Sequence, residues 1–271
     1  MDGISLSSVA TYLGVGLASG LVAGLFGVGG GIIMVPVLLL IFSHLGYGGM
    51  DLIFPLATGT SLAVIVPTSA SSAWTHDRHG NVLWKSVLAM VPGGLLTVHL
   101  ASVVALTTAG ETLKTAFGVF LIFVCLQMLF FGPRAREGPR PLAGWIGFML
   151  IGAVSGGISY FFGVGGGILA VPLLVLLARA SIHEAVGTSS ALIVFLAAYG
   201  TVINLWFRPA VGGLPEFSLG YVHLVAAGCL MPTSIVMARV GAKLANVAPA
   251  AILRKLFALL LGLEGIRLAL G

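Results

Sequence analysis

Long apolar runs separated by short polar stretches follow one another along the whole chain. Most of them approach or reach the roughly 17–25 residues that a helix needs to cross a hydrocarbon core of about 30 Å. None shows the regular alternation that is typical of a membrane β-barrel strand. The pattern therefore predicts an all-α polytopic membrane protein. Its predicted apolar segments are 9–26, 30–45, 55–75, 84–106, 112–131, 143–161, 166–179, 185–205, 219–241 and 249–270.

The composition agrees with this pattern and excludes a soluble domain. The chain is 58% hydrophobic and 8% charged, with a mean hydropathy of +1.13, which is more apolar surface than one soluble core can bury. The net charge of +5 comes from basic residues dispersed between apolar runs. Such residues set membrane orientation, so no nucleic-acid partner is predicted. Cys125 and Cys229 lie in apolar segments without CxxC spacing and are predicted to be small core residues.

One glycine-rich segment is written twice. Phe26 to Ile32, with Pro36, recurs as Phe162 to Ile168, with Pro172, and 11 of 16 positions are identical between residues 25–40 and 161–176. Glycine runs are poor helix formers. The duplication therefore predicts two broken helices at the midplane, as in transporters built from repeats.

Further matches extend this repeat over both halves of the chain. Gly59-Thr60-Ser61 recurs as Gly187-Thr188-Ser189, Pro92 matches Pro232, and Lys114 matches Arg254. Residues 132–142 are polar and proline-rich, which indicates a linker. We therefore predict a first transmembrane repeat at 1–131, a cytoplasmic linker at 132–142 and a second transmembrane repeat at 143–271.

The number of segments and the distribution of charge predict how the repeats lie in the membrane. Each half has about five segments, giving 8–10 in total, because a glycine-broken pair either crosses twice or forms a re-entrant hairpin. The number of crossings per half is odd in either case, so the second repeat would be inverted relative to the first. Basic residues concentrate on one predicted side, which we assign to the cytoplasm. Both termini are then predicted to face outward, to the periplasm or the extracellular side.

The glycine runs carry the first candidate chemistry. A helix that restarts after such a run presents free N–H groups and the positive end of its dipole, which suits an anion. The alternative is that the glycines only allow close helix packing. The candidate substrate-binding glycines are Gly27, Gly29, Gly30, Gly31, Gly163, Gly165, Gly166 and Gly167.

Hydroxyl groups near the repeated Gly-Thr-Ser segments are the second candidate feature. They could donate hydrogen bonds to an oxyanion, and the alternative is back-bonding to carbonyl groups of their own helix. Ser69, Ser71 and Ser72 could line the same cavity, whereas His76 is interpreted as an interfacial residue. The candidate residues of these segments are Thr58, Thr60, Ser61, Gly187, Thr188, Ser189 and Ser190.

Other candidate groups are few. Glu264 lies deep in the last apolar segment and could couple transport to a proton or another ion, or could form a structural pair with Arg267. His99 and His223 are interpreted as hydrogen-bonded core or interface groups. No His, Cys, Asp or Glu cluster has metal-ligand spacing, so no metal or other cofactor is predicted. No catalytic set is recognisable either, and an enzyme is not predicted.

The doubled GxGGG-x4-P, the Gly-Thr-Ser segments, the proline-led fourth segment and the Lys/Arg-x2-Phe of the fifth resemble the sulfite exporter TauE/SafE family. The resemblance covers essentially the whole chain. It implies a bacterial inner-membrane permease with two homologous halves, often described with about eight spans. It also implies secondary transport of sulfur-containing anions such as sulfite or organosulfonates by alternating access.

Three classes of function are therefore compared. A small-anion permease agrees with both the residues and the resemblance. A cation or metal transporter would need acids at membrane depth, where only Glu264 is a candidate. A membrane enzyme or a non-transporting membrane protein is the third class. The predicted partners are a small anionic substrate and the lipid bilayer, and the sequence does not predict the oligomeric state.

Overall fold

The computed structural model describes residues 6–130, 144–206, 214–245, 262–263 and 265–269. These residues form nine helices of 11 to 28 residues and one β-hairpin with two residues in each strand. The elements are α1 (Leu6–Phe26), α2 (Gly31–His44), α3 (Met50–Asp77), α4 (Trp84–Thr107), α5 (Gly110–Phe130), α6 (Trp145–Phe162), α7 (Gly167–Leu177), α8 (Ile182–Trp206), β1 (Ser218–Leu219), β2 (Val222–His223) and α9 (Leu224–Leu244).

Seven helices are long and apolar enough to cross a membrane, namely α1, α3, α4, α5, α6, α8 and α9. The prediction of an all-α polytopic membrane protein is confirmed. The predicted linker 132–142 and most of the predicted last segment, 249–270, lie outside the described residues.

The two helices that follow the glycine runs are short. α2 has 14 residues and α7 has 11, so at helical rise they are about 21 and 16 Å long. Both lengths are below the roughly 30 Å of a hydrocarbon core, so neither helix can cross alone. The two helices of each glycine-broken pair therefore differ: α1 and α6 are long enough to cross, and α2 and α7 are not.

The predicted segment 219–241 begins differently from the prediction. Residues 218–223 form an antiparallel hairpin in which Ser218 pairs with His223, and α9 begins only at Leu224. Gly220 (φ +54°) supplies the left-handed turn, a conformation that glycine adopts without steric cost. The apolar residues of this stretch are not all helical because the chain turns before the helix starts.

α3 and α8 form the interior of the bundle. In their most apolar windows 78% and 67% of residues are buried, against 33–44% in the other five membrane-length helices. The two helices run antiparallel, because Ser72 of α3 meets Ser190 of α8 while Gly59 meets Asn204. Their middles therefore lie at the centre of the molecule.

Glycines bring the outer helices together in two parallel pairs. A Cβ at Gly16, Gly20 or Gly24 of α1 would collide with backbone atoms of Leu230, Ser234 or Ala238 of α9. The pair α4 and α6 repeats this arrangement, with Gly152 and Gly156 against the backbone of Met90 and Gly94. Small residues permit such close backbone approach in membrane helices. Each half of the chain thus contributes one helix to each pair.

Candidate functional site

The two glycine runs form matching left-handed turns. Gly29 and Gly30 have φ values of +81° and +82°, and Gly165 and Gly166 have φ values of +82° and +78°. α2 and α7 start directly after these turns, and neither has a side-chain cap on its first amides. A residue with a Cβ would be strained at these four positions, which explains why both runs are glycine.

The two turns pack against each other although 136 residues separate them in the chain. A Cβ on Gly31 would collide with the carbonyl oxygen of Gly163, and a Cβ on Gly167 would collide with that of Gly27. Ile65 of α3 and Ile193 of α8 stand beside both Gly29 and Gly165. The predicted glycines are therefore brought together between the middles of the two buried helices.

The turns carry backbone donors that have no acceptor among the described residues. Ile33 and Met34 donate to Gly30 O, and Leu169 and Ala170 donate to Gly166 O. Within the described part of the chain, the N–H groups of residues 28–32 and 164–168 have no hydrogen-bond acceptor. Helix starts leave such donors free, and their partial positive charge suits an anion.

Two serines cross-link the turns. Ser61 Oγ donates to Gly163 O at 2.7 Å, and Ser189 Oγ donates to Gly27 O at 2.9 Å. Each serine thus bonds to the glycine turn of the other half of the chain. A hydroxyl has one proton, so neither serine can donate to an anion while this bond is intact.

The threonines have structural partners. Thr60 Oγ1 donates to Leu56 O at 2.6 Å and accepts from the N–H of His223 at 2.9 Å. Thr188 Oγ1 accepts from the N–H of Leu83 at 3.0 Å. Thr58 Oγ1 lies 3.1 Å from the carbonyl oxygens of Phe54 and Pro55. Back-bonding, the alternative interpretation, therefore describes Thr58 and Thr60, but not Ser61 or Ser189.

The other predicted positions lie where α3 faces α8 and α9. Ser190 Oγ is 3.1 Å from Ser72 Oγ. Ser71 donates to Ile235 O and accepts from Arg239. Ser69 Oγ is buried without a partner among the described residues. Ser71 thus connects α3 to α9. Gly187, on α8, packs against the carbonyl oxygen of Asn81 and the side chain of His76.

A small pocket beside the second turn contains polar residues that sequence reasoning missed. Tyr160 OH is 3.4 Å from Asn204 Oδ1, and both side chains line the pocket together with Thr58. The offset of 128 residues that relates the two Gly-Thr-Ser segments pairs Asn204 with His76. That pairing was the only available signal for Asn204. Apolar residues complete the lining, namely Phe54, Pro55, Ala105, Leu113 and Phe161.

His223 and Tyr47 form a hydrogen-bonded pair at the start of α9, outside the membrane-length helices. Tyr47 OH is 3.3 Å from His223 Nε2, and His223 Nδ1 accepts from the N–H of Ala226. Burial lowers the pKa of His223 and raises the pKa of Tyr47. His223 is therefore a neutral helix cap, in line with its interpretation as a hydrogen-bonded interface group, and His99 likewise bonds to Tyr199.

Charged groups of the described residues stand at the helix ends. Asp51 accepts from the N–H of Gly110, and Lys114 pairs with Glu111 at 3.3 Å. Glu264 lies outside the described residues, so its predicted coupling role stays a prediction. No three His, Cys, Asp or Glu side chains of the described chain lie close enough to hold a metal ion.

These features define a polytopic α-helical membrane protein with a buried, glycine-built polar centre. The family model "Sulfite exporter TauE/SafE" matches residues 12–268, so the chain belongs to the TauE/SafE family. It is a membrane transporter, not an enzyme, as the family and its relatives indicate.

Three relatives illustrate this membership. A "Probable membrane transporter protein" of Haemophilus influenzae is 32% identical over 91% of this chain and 92% of its own length. A "Probable membrane transporter protein" of Methanocaldococcus jannaschii is 28% identical over 93% of this chain and 92% of its own. "Probable membrane transporter protein YdhB" of Bacillus subtilis is 28% identical over 92% and 95%. No solved structure matches the chain.

Proposed function

We propose that the protein is a secondary transporter of small sulfur-containing anions, such as sulfite or organosulfonates, in a bacterial inner membrane. The observation that carries the proposal is the pair of interlocked glycine turns at the centre of the bundle, whose N–H groups have no acceptor in the described part of the chain. Backbone donors at two helix starts can hold an oxyanion in several directions without a fixed positive charge. Release is then not opposed by a full ion pair. The family description adds the sulfur class.

The proposed mechanism is alternating access at the interface of two inverted repeats. Its support is that equivalent contacts recur in both halves: Ser61 bonds to Gly163 as Ser189 bonds to Gly27. The equivalent helices α3 and α8 run antiparallel, as inverted repeats require. Contacts of this kind allow two alternative packings of similar energy when the halves exchange roles.

The serine cross-links give a route from binding to movement. If Ser61 or Ser189 turned its single proton toward a bound oxyanion, it would release the carbonyl of the opposite turn. Losing that bond would loosen one half against the other, so anion binding and the conformational change would be linked. The same serines would then serve as donors for the substrate in one state and as a cross-link in another.

The test is transport of radiolabelled sulfite by purified protein in proteoliposomes. Gly29→Ala and Gly165→Ala place a methyl group in the turns. Each methyl group would stand against the side chains of Ile65 and Ile193, and the one at position 29 also against the carbonyl oxygen of Val164. Gly80→Ala is the matched control, because Gly80 also has positive φ (+72°) but has open space around it. We expect at least about tenfold lower sulfite flux for the turn variants, and a flux close to the parent's for the control.

The outcome that would contradict the site is sulfite flux retained in both turn variants with folded protein on size-exclusion chromatography. Substrate class is tested separately by thermal shift with sulfite, taurine and sulfoacetate against chloride and phosphate. A shift with phosphate or chloride alone would replace the sulfur class by another small anion while leaving the site in place.

A further inference from the structure

Polar residues line one side of α3 from the glycine turns toward the end of the helix, and the equivalent side of α8 lacks most of them. Thr68, Ser69, Ser72 and Thr75 are buried on α3. The offset of 128 residues places Leu196, Ala197, Gly200 and Ile203 at the matching positions of α8. The two halves therefore differ in chemistry although their backbones make equivalent contacts.

At the end of this row of polar residues, the two helices differ in whether the side chain can bind a proton. His76 on α3 matches Asn204 on α8. The exposed fraction is 0% for His76 and 3% for Asn204. An imidazole can bind and release a proton near neutral pH, whereas a carboxamide cannot. Only the first half carries a titratable group at this place.

The hydrogen bonds of His76 indicate which nitrogen is available. Nε2 lies 3.2 Å from Gly24 O, and since a carbonyl only accepts, Nε2 carries the hydrogen. Nδ1 is buried and has no hydrogen-bond partner among the described residues. A bare, buried ring nitrogen is costly unless something else uses it. The available lone pair therefore lies inside the protein at Nδ1.

His76 also contacts backbone next to the proposed anion site, on α1 and on α8. Gly24 lies three residues before Gly27, whose carbonyl accepts from Ser189. A Cβ built on Gly187 would stand 3.0 Å from His76 Cβ, and Gly187 belongs to the second Gly-Thr-Ser segment. A change of charge on His76 would thus act on the backbone that forms the site.

We propose that His76 is a proton-binding site of the transporter, and that the proton taken up at Nδ1 accompanies the anion. This rests on the proposed function. A buried imidazolium is unfavourable alone, and an anion held by the neighbouring turns would offset its charge. Binding of the proton and of the anion then favour each other, because each reduces the cost of burying the other.

The surroundings of His76 contain other titratable or charged groups, which the experiment must separate from it. His79 at the end of α3 and His183 in the first turn of α8 act on it electrostatically. α1 contributes the Gly24 carbonyl at this level. Four charged groups at this end have partners of their own: Arg78 stacks on Trp74, Asp77 accepts from Trp84, Glu184 accepts from the N–H of Ser181, and Arg239 donates to Ser71. Lys85, Arg179 and Lys243 also lie at this end of the helices.

The direct measurement is histidine NMR on isotope-labelled protein in nanodiscs. The chain has six histidines, and His76→Asn identifies the His76 resonance by its loss. We follow that resonance from about pH 5 to 8, the range in which histidine side chains ordinarily change charge, and expect it to titrate there, with a midpoint that rises when sulfite is added. A resonance that does not move over this range would overturn the proposal, whatever the transport results.

The functional measurement compares two modes of sulfite transport in proteoliposomes. His76→Asn introduces the side chain that the chain itself uses at position 204, so folding is expected to be retained. We expect accumulation driven by a pH gradient to fall at least about tenfold, and sulfite exchange at equal pH to fall clearly less, because exchange needs no net proton movement. His79→Asn is the matched control and should keep both modes.

The results also separate this proposal from the proposed function. Gradient-driven accumulation that survives in His76→Asn, or equal loss of both modes, would show a structural role and overturn the proposal. If the parent protein moves no sulfite although His76 titrates, the sulfite proposal fails while the proton-binding site stands.

Discussion

At the scale of single residues, chemistry depends on which hydrogen bonds are already made. Sequence reasoning treated Thr58, Thr60, Ser61 and Ser189 alike, as hydroxyls close to a repeated glycine run. The structure separates them, because the two threonines back-bond to their own helix while the two serines reach the opposite half. The difference follows from the direction of each residue on its helix, which a local motif cannot show without knowledge of the packing partner.

Removing a cross-linking serine should weaken both the fold and transport. Ser61→Ala leaves the buried carbonyl of Gly163 without this donor, which costs about 1–3 kcal/mol. Ser189→Ala should behave alike through Gly27. We expect a lower melting temperature for each variant and a larger loss of sulfite flux than the loss of folded protein explains. Thr107→Ala, which removes an exposed back-bonding hydroxyl, is the control, and serine variants that match it would contradict the cross-link.

His223 should make stability depend on pH. Burial lowers its pKa in the folded state, so below the unfolded value of about 6.5 the unfolded chain binds more protons. Its contribution is therefore fully present above about pH 6.5 and is lost as pH falls toward the folded pKa. Melting temperatures of His223→Gln should vary less between pH 7.5 and 5.5 than those of the parent. His44→Gln is the control, and an unchanged pH slope in His223→Gln would contradict this assignment.

At the scale of helices, the sequence predicts existence and type well and packing poorly. Apolar length identified α1, α4, α5, α6 and α8 to within about three residues, because membrane-spanning helices satisfy all their backbone groups locally. α3 begins five residues earlier than predicted. The hairpin before α9 was missed since apolar content does not distinguish a turn at Gly220 from a helix start. The interlocked turns were expected only in outline. Their contact joins the two halves of the chain and is non-local, like the pairing of α1 with α9 and of α4 with α6.

The glycine stripe of α1 supplies a test of this packing. A methyl group at Gly20 would collide with the backbone of Ser234, whereas Gly14 on the same helix has open space around it. We expect Gly20→Ala to lower the melting temperature and the yield of folded protein. Gly14→Ala should be neutral or stabilise by up to about 1 kcal/mol, because alanine is the better helix former. Equal stability of the two variants would show that α1 and α9 do not pack as described.

At the scale of the whole molecule, the repeated contacts relate the two halves more closely than sequence identity alone. Thr60 accepts from the backbone before α9, and Thr188 accepts from the backbone before α4. Gly30 and Gly166 likewise approach the equivalent carbonyls of Ser19 and Ser155. Such exchange of contacts between halves is what a twofold relation produces. It makes the inverted arrangement of the repeats a testable geometric claim.

Equivalent loops should therefore open on opposite faces of the membrane. His79 and Glu216 are exposed in the loops that follow α3 and α8, and these helices run antiparallel. In a background with Cys125→Ala and Cys229→Ala, we expect His79→Cys to react with a membrane-impermeant maleimide only after the cytoplasmic side is opened. Glu216→Cys should react with the maleimide in intact spheroplasts. Ala109→Cys, which follows α4, should also react under that condition. Labelling of His79→Cys and Glu216→Cys from the same side would exclude inverted repeats. It would also exclude an alternating-access mechanism in which Ser61 and Ser189 exchange roles.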